Sequence, residues 1–522
     1  MKKLLYTLAG VSFLFSSCAD DYLDTMPESQ AATGIMIEST SNAKLAVNGL
    51  CRLMGNQYIG TQGYNGEGTI KIFYGNYAGN DYQKCNLTGW TNTINSKYHE
   101  SNTTNQDIFP WFYYYKLISN ANAIIVNIDN ATGPESEKQY IKAQALTFRA
   151  YSYFMLSQLY SYRWVDSNNG ASRGLPLRLE PSIDELAAST LGEVYAQVYQ
   201  DLSDAIENFQ ASGLKREAND NYSPNLDVAY AVFARAALTR QDWDNAAKYA
   251  ALARQGYSLM SVDEYVEGGF NTPNSEWIWS LYSAEDQQLY YYSFFAYQAS
   301  NSNAGQCKNY PAAISKELYD LIPESDVRRG MFLAPTSEEV GTYNTKTGAI
   351  TNGKSSLYKR GWETYGHKLN EASKLFAYMQ FKFQNTANAG IGHVNHFRAS
   401  EMYLIEAEAK CHLGGKDAEV QQLLTELTQG SGRDPEYTCT KTGADLLEEV
   451  CLYRRIELWG EGFDWFDHKR WNKTIVRKAH PEGSFHSSFA ITMTPDMENK
   501  WTWVYPAREC DYNSLLNGQY KE

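Results

Sequence analysis

The chain has 522 residues, of which 43% are hydrophobic and 14% aromatic, a composition typical of a folded globular protein with a sizeable core. Its formal net charge of −14 repels phosphate backbones, which excludes nucleic acid as an expected partner. The eight cysteines form no CxxC pair, so zinc-ribbon and thioredoxin-like sites are excluded and most thiols are expected to be free.

The N-terminal residues are typical of a secreted lipoprotein. Two lysines precede an apolar run at residues 4–15, which is about half the length needed to span a bilayer. Two serines then lead into Cys18, in an arrangement that resembles a bacterial lipoprotein cleavage site. We therefore expect a signal peptide over residues 1–17, lipidation of Cys18, and a tether over residues 18–35 that anchors the protein to a membrane without crossing it. An ordinary secretory signal is the alternative.

A glycine- and aromatic-rich stretch at residues 56–107 follows a weak helical pattern at 36–55 and predicts long ordered loops. Sugar recognition needs an aromatic face together with amide, carboxylate or guanidinium groups for the hydroxyls. This stretch offers such groups at Asp81, Tyr82, Trp90 and Asn92, which we predict to be a carbohydrate-binding cluster. Packing in the core is the alternative for each of them.

Helical periodicity dominates the middle of the chain and returns near its end. We predict helices at 136–161, 189–210, 226–239, 243–256, 399–413, 416–428 and 444–470. Small residues in two neighbouring helices joined by a short turn are typical of tetratricopeptide-like hairpins, at 226–256 and again at 399–428. Because one hairpin cannot bury its apolar face alone, we expect the helices to stack into one scaffold.

Residues 261–395 are less regular and predict a loop-rich lobe inserted into that scaffold. They contain a strand-like run at 276–282 and an aromatic cluster that includes Tyr290 and Tyr292. These two tyrosines are the second predicted carbohydrate platform. We expect a single domain over residues 36–522, with the helical scaffold at about 36–260 and 396–475 and the ligand lobe at about 261–395.

Carboxylates near the C-terminus raise the possibility of a glycoside hydrolase. Glu401 and Glu408 are placed on one predicted helix, and Glu457 and Glu461 on another. Arginines accompany both sets, and we expect Arg398 to pair with Glu401. Such pairing lowers a carboxyl pKa and removes the proton that a general acid needs, so structural salt bridges are favoured over catalysis.

Two further motifs give no support for a cofactor. Residues 348–355 fit the phosphate-loop pattern GxxxxGK[ST], but the residues before them are polar and Gly361 would interrupt a following helix, so we expect a loop or hairpin turn. His393 and His396 lie in a glycine-rich stretch without an acidic residue at ligand spacing. We therefore expect no metal and no cofactor.

Several segments in order along the chain resemble the SusD/RagB family of outer-membrane nutrient-binding lipoproteins. The resemblance is carried by the residues around Cys18, KAQALTFRAYSYFMLSQLY (142–160), NSEWIWSLY (274–282), DVRRG (326–330), RASEMYLIEAEA (398–409), RRIELWGEGFDWFDHKRW (454–471) and the closing YPARECDYNSLLNGQY.

This resemblance implies a mostly helical, SusD-like fold of tetratricopeptide-like hairpins with an irregular loop-rich lobe. It also implies a non-enzymatic lipoprotein on the outer membrane, exposed at the cell surface, whose partner is a SusC-like TonB-dependent transporter. The implied ligands are oligosaccharides, with peptides in the RagB branch as the alternative. A glycoside hydrolase, or a lid without a ligand of its own, are the remaining alternatives.

Overall fold

The structure is a computed structural model that describes residues 37–58, 63–281, 292–387, 390–494 and 501–516. The predicted signal peptide, Cys18, the tether and Tyr290 lie outside the described residues. Among the helices described, none combines the length and apolar character that crossing a bilayer requires.

Helices dominate the described part of the chain, as predicted. They are α1 (Thr40–Leu53), α2 (Gly66–Thr69), α3 (Thr91–Ile94), α4 (Asn105–Asn127), α5 (Glu135–Tyr160), α6 (Leu191–Ser212), α7 (Leu226–Arg240), α8 (Trp243–Ala253), α9 (Val262–Glu267), α10 (Phe294–Gln298), α11 (Gly305–Asn309), α12 (Lys316–Asp320), α13 (Ser356–Tyr365), α14 (Ala399–Leu413), α15 (Asp417–Thr425), α16 (Gly443–Glu457), α17 (Asp464–Trp471) and α18 (Ala507–Tyr512). The strands are β1 (Tyr82–Lys84), β2 (Trp277–Leu281), β3 (Ala312–Ile314), β4 (Phe332–Leu333), β5 (Met379–Gln380), β6 (Val394–Arg398), β7 (Ile475–Val476) and β8 (Thr492–Met493).

The predicted helical hairpins are present and have clear end signals. In the first hairpin, the Asn225 side chain caps α7, Gln241 adopts a left-handed conformation after it, and the Asp242 side chain caps α8. In the second, α14 ends at Gly414 and α15 runs on as a π-helix over Glu426–Gly430. The confirmed hairpins pack into the scaffold that the sequence predicts.

Three elements differ from the sequence prediction. The helix predicted at 444–470 is divided into α16 and α17 by a turn at residues 458–463. Helix α2 continues as a π-helix over Ile70–Asn76 inside the stretch predicted to be loops, and every side chain of this segment is buried. The 23-residue helix α4 was not predicted. Its buried positions lie on several faces, so it carries no single apolar stripe, and Pro110 in its second turn looks like a helix breaker.

Short strands connect the glycine-rich stretch to the lobe. A four-stranded sheet has the order β1-β3-β5-β4, and Tyr82 in β1 pairs with Ile314 in β3. Strand β2, which confirms the predicted strand-like run, pairs with β6 so that Trp277 lies opposite Arg398. Strand β1, which belongs to the glycine-rich stretch, is therefore fixed against the lobe through β3.

Residues 348–355 do not form a phosphate loop. An isolated bridge joins Ala349, inside the motif, to Phe376, and no described strand lies directly before the motif. The expectation that Gly361 interrupts the next helix is wrong: Gly361 lies within α13, where a Cβ atom would be only 2.8 Å from the Leu375 side chain. The glycine is there because the helix packs closely on its neighbours.

Candidate ligand-binding surface

The two predicted aromatic segments meet at Trp90. The Trp90 ring lies 4.3 Å from the Phe73 ring, centroid to centroid, and 6.2 Å from that of Tyr297, which belongs to the second segment. Tyr64 completes the group at 6.1 Å. These three rings form an aromatic bed that holds one side of the indole in place.

Gly63 allows the chain to pass close to this bed. A Cβ atom at this position would lie 2.7 Å from the Tyr297 hydroxyl and 3.0 Å from Trp90 Cζ2, and the residue has a φ of +102°. Both the space and the backbone conformation therefore require glycine.

Trp90 has exposed neighbours. Trp90 itself is half-buried, while Gly89 and Asn92 beside it are exposed and Leu87 is 43% exposed. The Asn92 amide donates a hydrogen bond of 3.2 Å to the hydroxyl of Tyr98, which is also half-buried. A partly exposed indole, an amide and a phenol are thus close together in the chain, and we call Trp90, Asn92 and Tyr98 the Trp90 surface.

The other predicted tyrosines are placed differently. Tyr292 is half-buried and packs against the core, and its electrostatic influence on Tyr297 indicates that it lies near the aromatic bed. Tyr290 is outside the described residues. Tyr82 is 1% exposed and stacks on Trp459 at 5.4 Å, so its ring has no face open to a ligand in this conformation.

Asp81 is also buried and already has a partner. The Arg455 guanidinium donates two hydrogen bonds of 2.7 Å to its carboxylate. Burial raises the pKa of Asp81, but the charge of Arg455 outweighs it and holds the pKa below its ordinary value. The structure therefore places Asp81 and Tyr82 beneath the surface, where they fix the segment that carries Trp90.

Arg477 holds the same segment from below. Its guanidinium donates hydrogen bonds to the backbone carbonyls of Tyr77 (2.9 Å), Gly79 (2.8 Å) and Ile94 (2.9 Å). Ile94 is the last residue of α3, the short helix that begins after Trp90. The position of Trp90 is thus determined by residues nearly 400 positions away, and nothing in the local sequence could have indicated this.

The carboxylates considered for catalysis are all buried in ion pairs. The prediction that Arg398 pairs with Glu401 is wrong, because Arg235 of α7 binds Glu401 through two bonds of 2.7 Å. Arg398 instead donates to Glu457 at 2.6 Å and to Glu461 at 2.8 Å and 2.9 Å.

The ion pairs hold Glu457 and Glu408 in their charged form. Burial raises the pKa of Glu457, but the surrounding arginines outweigh it and lower that pKa far below its ordinary value. For Glu408, burial likewise raises the pKa and Arg470 more than compensates, so that the pKa is lowered. Neither group carries the proton that a general acid donates at neutral pH.

Glu67 is a buried carboxylate that the sequence analysis did not identify. It accepts hydrogen bonds from the hydroxyls of Tyr113 (3.0 Å) and Tyr114 (3.1 Å) on α4 and of Tyr151 on α5. Because Glu67 lies in α2, it ties the glycine-rich stretch to the helical scaffold. The signal in the sequence is a lone acid among glycines and aromatic residues.

No metal site is formed by the residues that the structure describes. No group of three or more His, Cys, Asp or Glu side chains in this part of the chain is arranged to hold an ion. His396 is 2% exposed and lies among the rings of Tyr151, Trp279 and Phe397.

Two family models together match nearly the whole chain. A model described as "Starch-binding associating with outer membrane" matches residues 21–238, and the model of the SusD family matches residues 239–514. No curated protein matches the chain.

Solved structures have the same fold. A SusD-like carbohydrate binding protein from Bacteroides vulgatus has a TM-score of 0.73 at 24% identity and covers 93% of this chain and 98% of its own. A putative sugar binding protein from the same species has a TM-score of 0.71 at 22% identity and covers 92% of this chain and 98% of its own. A SusD superfamily protein from Bacteroides thetaiotaomicron has a TM-score of 0.69 at 22% identity and covers 91% of this chain and 98% of its own.

Proposed function

Because the chain belongs to the SusD family, we propose that it is a carbohydrate-binding protein of the outer membrane that captures oligosaccharides. The observation that carries the proposal is the Trp90 surface, where a half-exposed indole lies on a fixed aromatic bed beside the exposed amide of Asn92. An indole face stacks on the C–H face of a sugar ring, and an amide both donates to and accepts from hydroxyls. One of the solved relatives is named as a carbohydrate binding protein, which agrees with this ligand class.

The protein binds its ligand without chemical conversion. A glycoside hydrolase needs one carboxyl group that is protonated and a second that can reach the sugar across a cleft. Glu401, Glu408 and Glu457 are each at most 1% exposed and bound to arginine. A hydrolase is therefore the less favoured candidate.

Capture serves uptake in this proposal. Lipidation of Cys18 anchors the protein to the outer membrane, exposed at the cell surface, and a SusC-like TonB-dependent transporter receives the oligosaccharide. Tyr290 and Tyr292 contribute to the binding surface from the lobe side. Asp81 and Tyr82 contribute by holding the Trp90 segment in place.

Isothermal titration calorimetry with a panel of oligosaccharides, beginning with maltoheptaose, tests this proposal. We expect Trp90→Ala to weaken binding of the active panel member by about tenfold or more, because the stacking face is lost. Trp243→Ala is the matched control, since Trp243 is also half-buried but stacks on His412 in the scaffold. Equal affinity of wild type and Trp90→Ala would remove Trp90 from the site.

Peptide capture is the second candidate. The panel therefore includes short unstructured peptides alongside the oligosaccharides. Binding of peptides but of no oligosaccharide would replace the carbohydrate proposal with the peptide one.

A further inference from the structure

A trough on the scaffold, remote from the Trp90 surface, has the features of a second ligand site. It lies between α1, the N-terminal half of α5, the end of α6 and the connection at residues 213–225. It consists of two hollows of about 570 Å³ and 470 Å³. Tyr140, Lys215, Arg216 and Asp220 line both hollows, which makes them one continuous trough. Pockets of this volume are typical of small-molecule sites.

The trough is separate from the Trp90 surface. Glu67, in the helix that leads to the aromatic bed, contacts α5 at Tyr151. Tyr140 lies eleven residues earlier on the same helix, which is about 16 Å along the helix axis at 1.5 Å per residue. No residue of the Trp90 surface lines either hollow.

Tyr140 provides a polar group that no described residue hydrogen-bonds. Its hydroxyl is buried and has no hydrogen-bond partner among the described residues, while its ring packs edge-on against Phe209 at 5.1 Å. Burial raises the pKa of Tyr140 to about 12, so the hydroxyl keeps its proton and is a donor as well as an acceptor. A ligand hydroxyl would satisfy it once the side chains that cover it in the unbound protein move aside.

The walls of the trough are fixed by hydrogen bonds within the protein. Arg216 donates to the carbonyls of Ser223 and Ile278, at 3.1 Å each. The Asp220 carboxylate accepts from the backbone N–H groups of Tyr222 and Ser223, at 2.9 Å each. The connection at residues 213–225 is therefore held in place before a ligand binds, which reduces the entropic cost of binding.

The chemistry of the lining selects an uncharged ligand that is rich in hydroxyls. Positive and negative side chains are interspersed, as in the 2.9 Å ion pair between Lys44 and Glu137, so neither sign dominates. The amide side chains of Asn48, Gln210 and Asn221 lie among them. The lining contains no strand, which leaves no sheet edge on which an extended peptide could pair.

We infer that this trough is a second oligosaccharide-binding site. The inference rests on the proposed function for its ligand class, but it depends on different residues. Two sites that engage one long glycan would raise its apparent affinity by multivalency, without any change at either site.

The test titrates the full-length mature protein with maltoheptaose and the same oligosaccharide panel, in variants of each site. Asn48→Trp fills one hollow from an exposed helix position. Leu45→Trp is its control, because Leu45 lies on the same helix, is 67% exposed and does not line the trough. We expect two sites in the wild type, loss of one in Asn48→Trp, loss of the other in Trp90→Ala, and no loss in Leu45→Trp.

Tyr140→Phe separates ligand binding from stability. The Tyr140 hydroxyl has no partner in the part of the chain that the structure describes, so its removal should leave the melting temperature unchanged or slightly higher. Affinity at the second site should fall about fivefold, the effect of one neutral hydrogen bond. Unchanged affinity in this variant would contradict the assignment.

The outcomes distinguish this inference from the proposed function. If Trp90→Ala abolishes all binding and Asn48→Trp changes nothing, the trough is not a site and the proposed function stands. If Asn48→Trp abolishes all binding and Trp90→Ala changes nothing, the trough stands and the Trp90 surface does not. If no oligosaccharide binds, or if only peptides bind in the trough, the inference is overturned.

Discussion

Arg398 joins three buried carboxylates that come from distant parts of the chain. Its guanidinium, in a side chain 1% exposed, contacts Glu276 and Glu457 at 2.6 Å each and Glu461 at 2.8 Å. Desolvation of so many charges is costly, so the net stabilisation of such a network is small while all its members are present. Loss of one member leaves its partners as uncompensated buried charges.

Glu457→Gln is therefore expected to lower the free energy of unfolding by about 3–5 kcal/mol. Glu448→Gln in the same helix is the control, because Glu448 is 66% exposed and its pairing with Lys473 should contribute less than about 1 kcal/mol. Denaturant unfolding of both variants gives the two values. Equal effects would mean that the buried network does not hold the helices together.

Glu67 and Glu457 make the stability of the protein depend on pH in opposite directions, because the pKa of Glu67 is raised in the folded protein and that of Glu457 is lowered. Burial raises the pKa of Glu67 above its ordinary value of 4.5, and the hydrogen bond from Tyr151 opposes this only in part. Above pH 4.5 the unfolded chain releases the proton that the folded protein retains. The contribution of Glu67 to stability is thus fully present below its unfolded pKa and is lost as the pH rises through its folded pKa.

Glu67→Gln, which does not titrate, isolates this contribution. The free energy of unfolding of the wild type minus that of the variant should fall as the pH rises from 4.5, by at most about 1.4 kcal/mol per pH unit. Urea unfolding between pH 4.5 and 7.5 measures this difference. A constant or rising difference would show that Glu67 is charged in the folded protein.

These residues also show where sequence reasoning ends. An arginine-rich environment was predictable for Glu457 from the motif around it, but the partners of Arg398 were not. Arg398 ends β6, and the strand directs its side chain toward Glu276 and α16, whereas Glu401 faces α7 from the next helix. Only the three-dimensional packing of the elements decides between these arrangements.

The π-helix over Ile70–Asn76 makes a close contact between the aromatic stretch and the C-terminal motif. A Cβ atom on Gly75 would lie 2.0 Å from the Gly462 carbonyl oxygen, a distance that no side chain tolerates. Lys71, one turn earlier, donates to the Glu461 carbonyl at 3.0 Å. This element therefore requires glycine where two backbones approach each other.

Gly75→Ala should accordingly destabilise the protein by about 1–3 kcal/mol, the usual cost of overpacking a core. Gly49→Ala in α1 is the matched control, because its Cβ would have no atom within 4 Å and alanine favours a helix. The control should raise the melting temperature slightly. A Gly75→Ala variant as stable as the wild type would contradict the close approach.

Helix α4 explains why some elements escape prediction while others do not. The amphipathic helix α6 has a capping box formed by Thr190 and Glu193, and its periodicity identified it within a few residues. Helix α4 is buried on several faces and contains Pro110, so it has neither an apolar stripe nor an unbroken sequence. The carbonyl of Gln106, which Pro110 cannot satisfy, accepts a hydrogen bond from the Tyr74 hydroxyl instead.

At the scale of the whole molecule, the two family-model matches meet inside a helix and not at a domain boundary. The first match ends at residue 238, within α7, and the second begins at residue 239. Bonds between the two halves are buried, including Arg235 with Glu401 and Asp81 with Arg455. Neither half could satisfy these charges without the other.

We therefore expect residues 36–522 to unfold as one cooperative unit, although chains of this length often unfold in several steps. Tryptophan fluorescence reports on both halves, since Trp90 and Trp279 are in different matches, and far-UV circular dichroism reports on the helices of the scaffold. The two denaturant transitions should coincide, because breaking any of the shared ion pairs exposes buried charge in both halves at once. Two separated transitions would instead show that the halves are independent domains, in which case the Trp90 surface could lose its support from Arg455 and Arg477 while the N-terminal helices remained folded.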